Sequence, residues 1–364
     1  MEIHLNTRKS GTQTPLSDSE KKYLSDLLGG KYKIGSPLGR SGASTSAFLI
    51  TDATGKEFVL RIPNKPDDIE HWLETEKRQF ANQEKYLAGY QGNISIPKTL
   101  EYRDFFTIQE KGAGEPFADY IYDGLSREKQ LKLAQDFAAF LNHSHQKNAN
   151  RATTRPVSLD GGQDFTLNEH VKSAYKSVMT PDEYKWFCGL LDEFNNRDTS
   201  DEFLTFAFND FRYSNILYDT KSGQLSVIDF GACRDGSIYM DFVPASAGSY
   251  GISYKFLQDV INSYNNIKSD SAKTIKINPR KVALFHILGI LAEIAGVNKE
   301  PEQLKRILYM PHRLGYIKQL CTLFGVEYGL PAPKKMTKFE KGKVQIKEKS
   351  KNIINAIFNN NQNT

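Results

Sequence analysis

The chain has 364 residues, 39% hydrophobic and 25% charged, with a formal net charge of +5. It is long enough for two lobes with cores of their own. No apolar run approaches the ~18 residues that span a bilayer, and Met1 to Glu20 lacks the apolar centre of a secretory signal. Cys188, Cys233 and Cys321 lie far apart with no C-x-x-C spacing, which excludes a disulfide framework or a zinc site and fits a cytoplasmic protein; export as an effector without a classical signal is the alternative.

In chain order, residues 1 to about 16 read as disordered. A helix is predicted next, capped by Ser17 or Asp18, with Tyr23, Leu24, Leu27 and Leu28 apolar and Gly29-Gly30 as its stop. From Lys31 to Pro63 the pattern is strand, Gly-rich turn, strand, "DATGK" turn, strand. Asp68 to Tyr90 is helical, with Trp72, Glu76, Phe80, Gln83 and Leu87 on one face. Two more strands lead to a Gly/Pro break at Gly112 to Pro116. A capped amphipathic helix follows from Ser126, then two helices between Leu167 and Asn196, the second after Pro181. His143 and His145 in the first of these helices have no acidic or sulfur neighbour and are not read as metal ligands.

A hairpin comes next, with strands Asn215 to Tyr218 and Leu225 to Ile228 around the turn "DTKSG". Three helical segments close the ordered part: 252–267, 278–296 and 301–325. Lys334 to Lys351 is lysine-rich. That tail is read as a solvated face, with an anionic partner as the sharper alternative; no nucleic-acid motif accompanies it. The expected organisation is an N-terminal extension (1–30), a β-rich N-lobe (31–111), a larger mainly helical C-lobe (112–330) and the tail (331–364). A seam between lobes is a common place for a ligand cleft.

The hairpin carries the chemistry. It brings its two ends together, so Asn215 and Asp229 can converge on one point. An amide and a carboxylate of this kind suit Mg²⁺, which takes one or two protein oxygens plus substrate phosphates. Asp210, on the loop before the first strand, is placed to accept a proton from a substrate hydroxyl. The order Asp210, Asn215, hairpin, Asp229 is the layout of the loop and metal ligands in kinase-type phosphoryl transfer. Gly39 and Gly42 flank a turn where Ser41 and Ser44 supply hydroxyls and backbone N–H groups can approach a phosphate. No Walker G-x-x-x-x-G-K-[ST] occurs. A kinase-like site also wants a cation on the third strand; here it is Arg61 in "FVLRIP". Glu76 fits the helix face as its partner, with Glu84 the alternative.

These segments resemble the aminoglycoside phosphotransferase family, which has a protein-kinase-like fold and includes choline kinase-like enzymes. The resemblance runs from about Ser36 to Asp241. "PLGRSGASTSAFLI" and "EFVLRIP" resemble its nucleotide loop and third strand, "ISIP" the segment after its first helix, "FNDFRYSNILYD" its H-[GN]-D-x-x-x-x-N loop, and "VIDFG" its metal-binding strand end. It implies an α+β, bilobal fold and an ATP or GTP cleft between lobes. It implies Asp210 as catalytic base, Asn215 and Asp229 as Mg²⁺ ligands, and a hinge near Gln109 to Lys111 whose backbone holds the base. His145, in "FLNHSH", and Asp241, in "YMDF", are structural by the same resemblance. One position departs: the loop's usual histidine is Phe208. The activity implied is Mg²⁺-dependent transfer of a γ-phosphate to a hydroxyl of a small molecule. The alternatives are a protein or lipid kinase, a pseudokinase that binds nucleotide, and adenylyl transfer. The net positive charge argues against polycationic acceptors such as aminoglycosides.

Overall fold

The computed structural model describes residues 5–8, 14–38, 45–148, 150–151, 169–243, 253–267, 275–295 and 300–332. The chain divides into two compact units, one of residues 1–166 and 196–290, the other of 167–195 and 291–364. The stretch read as a single C-lobe contributes to both. The lysine-rich segment 334–351 lies outside the described residues.

The first unit begins with a segment that packs closely, contrary to the expectation of disorder before residue 16. Leu5, Arg8 and Leu16 are buried. Helix α1 (Asp18–Leu27) starts on a capping box in which Ser17 and Glu20 exchange hydrogen bonds. Its Leu24, with Leu28 just beyond, joins Leu5 and Leu16 on a β-sheet of five antiparallel strands: β1 (Tyr32–Pro37), β2 (Thr45–Asp52), β3 (Glu57–Pro63), β4 (Thr99–Arg103) and β5 (Phe106–Glu110), in the order β1-β2-β3-β5-β4. Strand alternation explains the packing. Phe48 and Ile50 of β2 and Phe58, Leu60 and Ile62 of β3 point into this core. Arg61, one residue out of phase, meets helix α2 (Ile69–Leu87) instead. The inner face of α2 is Trp72, Glu76, Gln79 and Tyr86. Phe80, expected on that face, is 39% exposed.

After β5 the chain turns through Gly114 into β6 (Glu115–Pro116). Gly114 has φ +95° and a Cβ there would lie 2.2 Å from the Tyr218 carbonyl, so no other residue fits. Helices α3 (Asp119–Asp123) and α4 (Arg127–Asn148) and strand β7 (Asn150–Arg151) follow. The chain then enters the second unit with α5 (Glu169–Val178) and α6 (Pro181–Asn195), and returns as β8 (Phe203–Ala207), β9 (Ile216–Asp219), β10 (Gln224–Val227) and β11 (Arg234–Ser237). The hairpin β9–β10 forms as expected and is joined by β6 in the order β10-β9-β6. A further sheet, β11-β8-β7, was not expected, although β8 (FLTFA) is built of strand-forming residues. Helix α7 (Tyr254–Asn266) packs on α4 through Phe137 and Phe256, whose ring centroids are 5.6 Å apart, and α8 (Pro279–Ala295) completes this unit.

The second unit holds α5, α6, the last residues of α8, and α9 (Pro301–Leu308) and α10 (Pro311–Phe324). The segment 301–325 is two helices because Pro311 cannot continue α9 and starts α10 instead. Tyr309 Oη donates to Glu183 at 2.7 Å, and Trp186 Nε1 to the Glu327 carbonyl at 2.7 Å. Among the described residues no helix is long and apolar enough to cross a membrane.

Candidate active site

Register places the site. In the β9–β10 hairpin, Ile216 faces Val227, and Ile228 N–H donates to the Asn215 carbonyl at 2.9 Å. Asn215 and Asp229 therefore leave the hairpin at the same end. A parallel bridge between Ser95 and Ser226 ties this hairpin to the segment before β4. Asn209 (φ 56°) and Asp229 (φ 65°) are both in the left-handed region, which costs a non-glycine residue about 1 kcal/mol or more. Such strain beside Asp210 and at Asp229 marks a loop shaped for its side chains.

Asp210 is buried, and its Oδ2 accepts from Asn215 Nδ2 at 2.6 Å and from Arg212 Nη2 at 2.8 Å. Arg212 Nη2 is also 3.9 Å from Asp229 Oδ2. Burial pushes the Asp210 carboxyl up to about 6; Arg212 opposes this and Asp229 adds to it. Asp229 is more open, and the N–H of Gly231 reaches its Oδ1 at 3.4 Å. A Cβ at Gly231 would lie 3.2 Å from that same oxygen, so a larger residue would crowd the carboxylate.

The loop is held from behind. Asp241, fully buried, accepts the Asn209 N–H at 2.7 Å on Oδ1 and meets His145 Nε2 at 2.9 Å on Oδ2. His145 Nδ1 faces Tyr264 Oη at 2.9 Å. Phe208 is fully buried against Phe230, with ring centroids 5.3 Å apart, and against Tyr86 at 6.1 Å. Helix α2 reaches the same loop. Asn82 Nδ2 donates to the carbonyls of Phe230 (3.0 Å) and Cys233 (3.1 Å).

The remaining expected positions sort into three groups. Arg61 is paired with Glu76 through two nitrogens, Nε at 3.0 Å and Nη2 at 2.7 Å, and Nη2 also reaches Gln79 at 3.1 Å. Thr45 and Thr107 hydroxyls donate to the same carboxylate. Glu84, the alternative partner, is exposed. Burial alone would lower the Arg61 pKa, but Glu76, with Asp229, raises it. Gln109 and Lys111 do not converge on these residues with their side chains. Gln109 Nε2 donates to Thr99 and Lys111 Nζ pairs with Glu57 at 2.6 Å at the surface. Gly39, Ser41, Gly42 and Ser44 lie outside the described residues. Sequence reading missed Arg212, Gln79 and Asn82; the Asp-x-Arg spacing at Asp210 was the one available hint. A cavity of about 420 Å³ lies elsewhere in the first unit, lined by Ser200, Asp201, Phe203, Lys276, Ile277 and Asn278. It holds none of the groups discussed above, and the convergence of strained backbone, buried carboxylate and cation makes the Asp210 loop the stronger candidate.

Residues 37–271 match the family model described as phosphotransferase enzyme family, well over half of the chain. Solved structures with similar folds include the streptomycin-ATP ternary complex of the aminoglycoside phosphotransferase APH(2")-IIa, at 18% identity and TM-score 0.50, covering 81% of this chain and 97% of that one. The GDP complex of a variant of aminoglycoside 2'-phosphotransferase-IIIa aligns at 17% identity and TM-score 0.51 over 85% and 96%. The apoenzyme of the macrolide 2'-phosphotransferase MphH from Brachybacterium faecium aligns at 10% and 0.50 over 85% and 99%. At these identities the likeness carries the fold, and the expected α+β, protein-kinase-like class is borne out.

Proposed function

The chain belongs to the phosphotransferase enzyme family, and from that premise we propose that it moves the γ-phosphate of ATP or GTP to a hydroxyl of a small molecule with Mg²⁺. The observation that carries this is the cluster at the hairpin end: a buried Asp210 bonded to Asn215, with Asp229 beside them and Arg212 between the carboxylates.

Asp210 is the catalytic base in this reading. Its two side-chain donors, Arg212 and Asn215, both address Oδ2, which leaves Oδ1 to accept the proton of the acceptor hydroxyl. A carboxyl raised by burial is a better proton acceptor than an exposed one. Arg61, locked by Glu76, presents a fixed positive charge for nucleotide phosphates, with backbone of the Gly39–Ser44 loop as their cradle. The backbone at Gln109 to Lys111 holds the base. Asn215 Oδ1 and the Asp229 carboxylate would hold the metal. Both are hard oxygen donors, and two protein ligands completed by phosphate oxygens is the arrangement Mg²⁺ favours. When bound, Mg²⁺ supplies neutralisation of the charge that builds on the transferring phosphate. The similar structures name an aminoglycoside and a macrolide enzyme, which supports a small hydroxylated acceptor here.

The test is Asp210→Ala and Asp210→Asn. Turnover with an acceptor found by screening metabolites against γ-labelled nucleotide should fall by about 10³-fold or more, with ADP affinity within a few-fold of wild type. Unchanged turnover would sink the assignment. Label on protein or phosphoinositide alone would move the reading to a protein or lipid kinase. Nucleotide binding with no transfer across the panel would favour a pseudokinase.

A further inference from the structure

Arg212 stands where electrostatics would place a cation. Its Nη2 is 2.8 Å from Asp210 Oδ2 and 3.9 Å from Asp229 Oδ2. Arg61, the other cation of the site, is committed to Glu76 and Gln79, and Asn215 brings a neutral amide. Among the described residues, Arg212 is thus the side chain whose positive charge meets both carboxylates. Its own bonding is incomplete. Nε is buried with no hydrogen-bond partner among the described residues, and a planar fork suited to two parallel bonds engages each carboxylate through one shared nitrogen. The side chain is 39% exposed, so the guanidinium borders solvent.

We propose that Arg212 is the resident counter-cation of the metal site, neutralising Asp210 and Asp229 until a divalent ion takes Asp229. It is a positioning residue, and the proposal rests on the assignment of Asp229 as a metal ligand made above. A free metal ion must displace a competitor tethered beside its ligand. A metal ion that arrives on a nucleotide brings phosphate oxygens to which the released guanidinium can turn. Arg212 therefore makes metal binding weak alone and stronger with nucleotide.

The experiment is titration of Mn²⁺, followed by loss of the free-ion electron paramagnetic resonance signal, into wild type, Arg212→Gln, Arg212→Lys and Asp229→Asn, with and without ADP. Arg212→Gln should bind Mn²⁺ alone about five- to tenfold more tightly than wild type, the effect of removing one partly screened competing charge. ADP should enhance metal binding less in this variant than in wild type. Equal, weaker or undetectable Mn²⁺ binding by folded Arg212→Gln overturns the proposal. Should that variant fail to fold, Arg212→Lys decides: its ammonium ends one atom short of the Nη2 position and so sits farther from both carboxylates, so tighter binding supports the proposal and equal or weaker binding overturns it. Mn²⁺ binding that is lost in Asp229→Asn yet unimproved in Arg212→Gln removes this proposal alone. Binding indifferent to Asp229→Asn removes the metal-site reading and this proposal with it.

Discussion

Asp241 holds the Asp210 loop without touching Asp210, and its removal should separate support from chemistry. Its carboxylate accepts the Asn209 N–H at 2.7 Å and faces His145 Nε2 at 2.9 Å, with no exposure to solvent. Asp241→Ala strands both buried groups. Each orphaned group costs about 1–3 kcal/mol, so the sum is about 2–6 kcal/mol, or roughly 4–24 °C in melting temperature for a domain of this size. Asn209 would also be released from its left-handed conformation at φ 56°, and Asp210 would follow. A displacement near 1 Å at a reacting group can cost about 10²-fold in rate. Asp241→Asn is the control. Its Oδ1 still accepts from Asn209, and its amide can donate to Nε2 once His145 carries its proton on Nδ1 and donates to Tyr264. The expected loss is about 1 kcal/mol and less than tenfold in kcat. Thermal unfolding and steady-state kinetics read both quantities. Nucleotide KM should hold in both variants, because Arg61 and Glu76 are untouched. An Asp241→Asn enzyme as damaged as Asp241→Ala would refute the argument, since the charge rather than the acceptor geometry would then be what the loop needs. So would an Asp241→Ala enzyme with wild-type melting and rate.

Two further outcomes are expected. Glu76→Gln should raise nucleotide KM at least tenfold and cost about 3 kcal/mol, because it leaves the Arg61 charge buried with half a partner; Glu84→Gln should change neither, and equal effects in kinetics and melting would refute the pairing. Glu20 links the N-terminal segment to α1: burial pushes its carboxyl up, but Asn6 and Ser17 N–H groups, the Ser17 hydroxyl and Arg8 hold it down at about 2. Stability from a depressed carboxylate is full above the ordinary value of 4.5 and is lost as pH falls toward 2. Wild type should therefore exceed Glu20→Gln by about 2–3 kcal/mol at pH 7, and the melting gap should close between pH 5 and pH 2; a gap constant with pH would refute it.

What could be read from the sequence was local or periodic. The β9–β10 hairpin is set by two apolar strands and a polar turn, and once it forms, Asn215 and Asp229 must share an end. Arg61 follows from strand alternation. Its partner was ambiguous because Glu76 and Glu84 are eight residues apart and lie within a quadrant of each other on a helix; burial decides for Glu76. Phe80 was misplaced because the inner face of α2 is built from polar as well as apolar groups, and hydrophobicity cannot rank Glu76 or Gln79 as inside. Strand β11 is Arg234-Asp235-Gly236-Ser237, which has no strand propensity and exists because β8 supplies a backbone to pair with. The Leu5–Arg8 segment reads as polar and unstructured, yet Arg8 donates its N–H to Asn64 at 2.6 Å and pairs with Glu20 at 2.5 Å. These are long-range bonds of which one-dimensional composition holds no trace. Arg212 is one of 48 lysines and arginines, and beyond its place two residues after Asp210 only the folded loop distinguishes it.

The departure at Phe208 has its explanation in α2. One stripe of that helix runs from Arg61 to the loop that follows Asp229. Glu76 and Gln79 hold Arg61, Asn82 holds the carbonyls of Phe230 and Cys233, and Tyr86 packs on Phe208 and Phe230. Arg61 and the backbone that follows Asp229 are therefore tied to the same helix. At the end of this stripe the ring at 208 is enclosed by Tyr86, Phe140 and Phe230, surroundings that offer an imidazole aromatic faces and suit an apolar side chain. The polar support that a histidine would give comes instead from the neighbouring backbone, through Asn209 N–H and Asp241. Position 208 is thereby free to be apolar while Asp210 stays fixed, and a phenylalanine there is compatible with an ordered Asp210 loop.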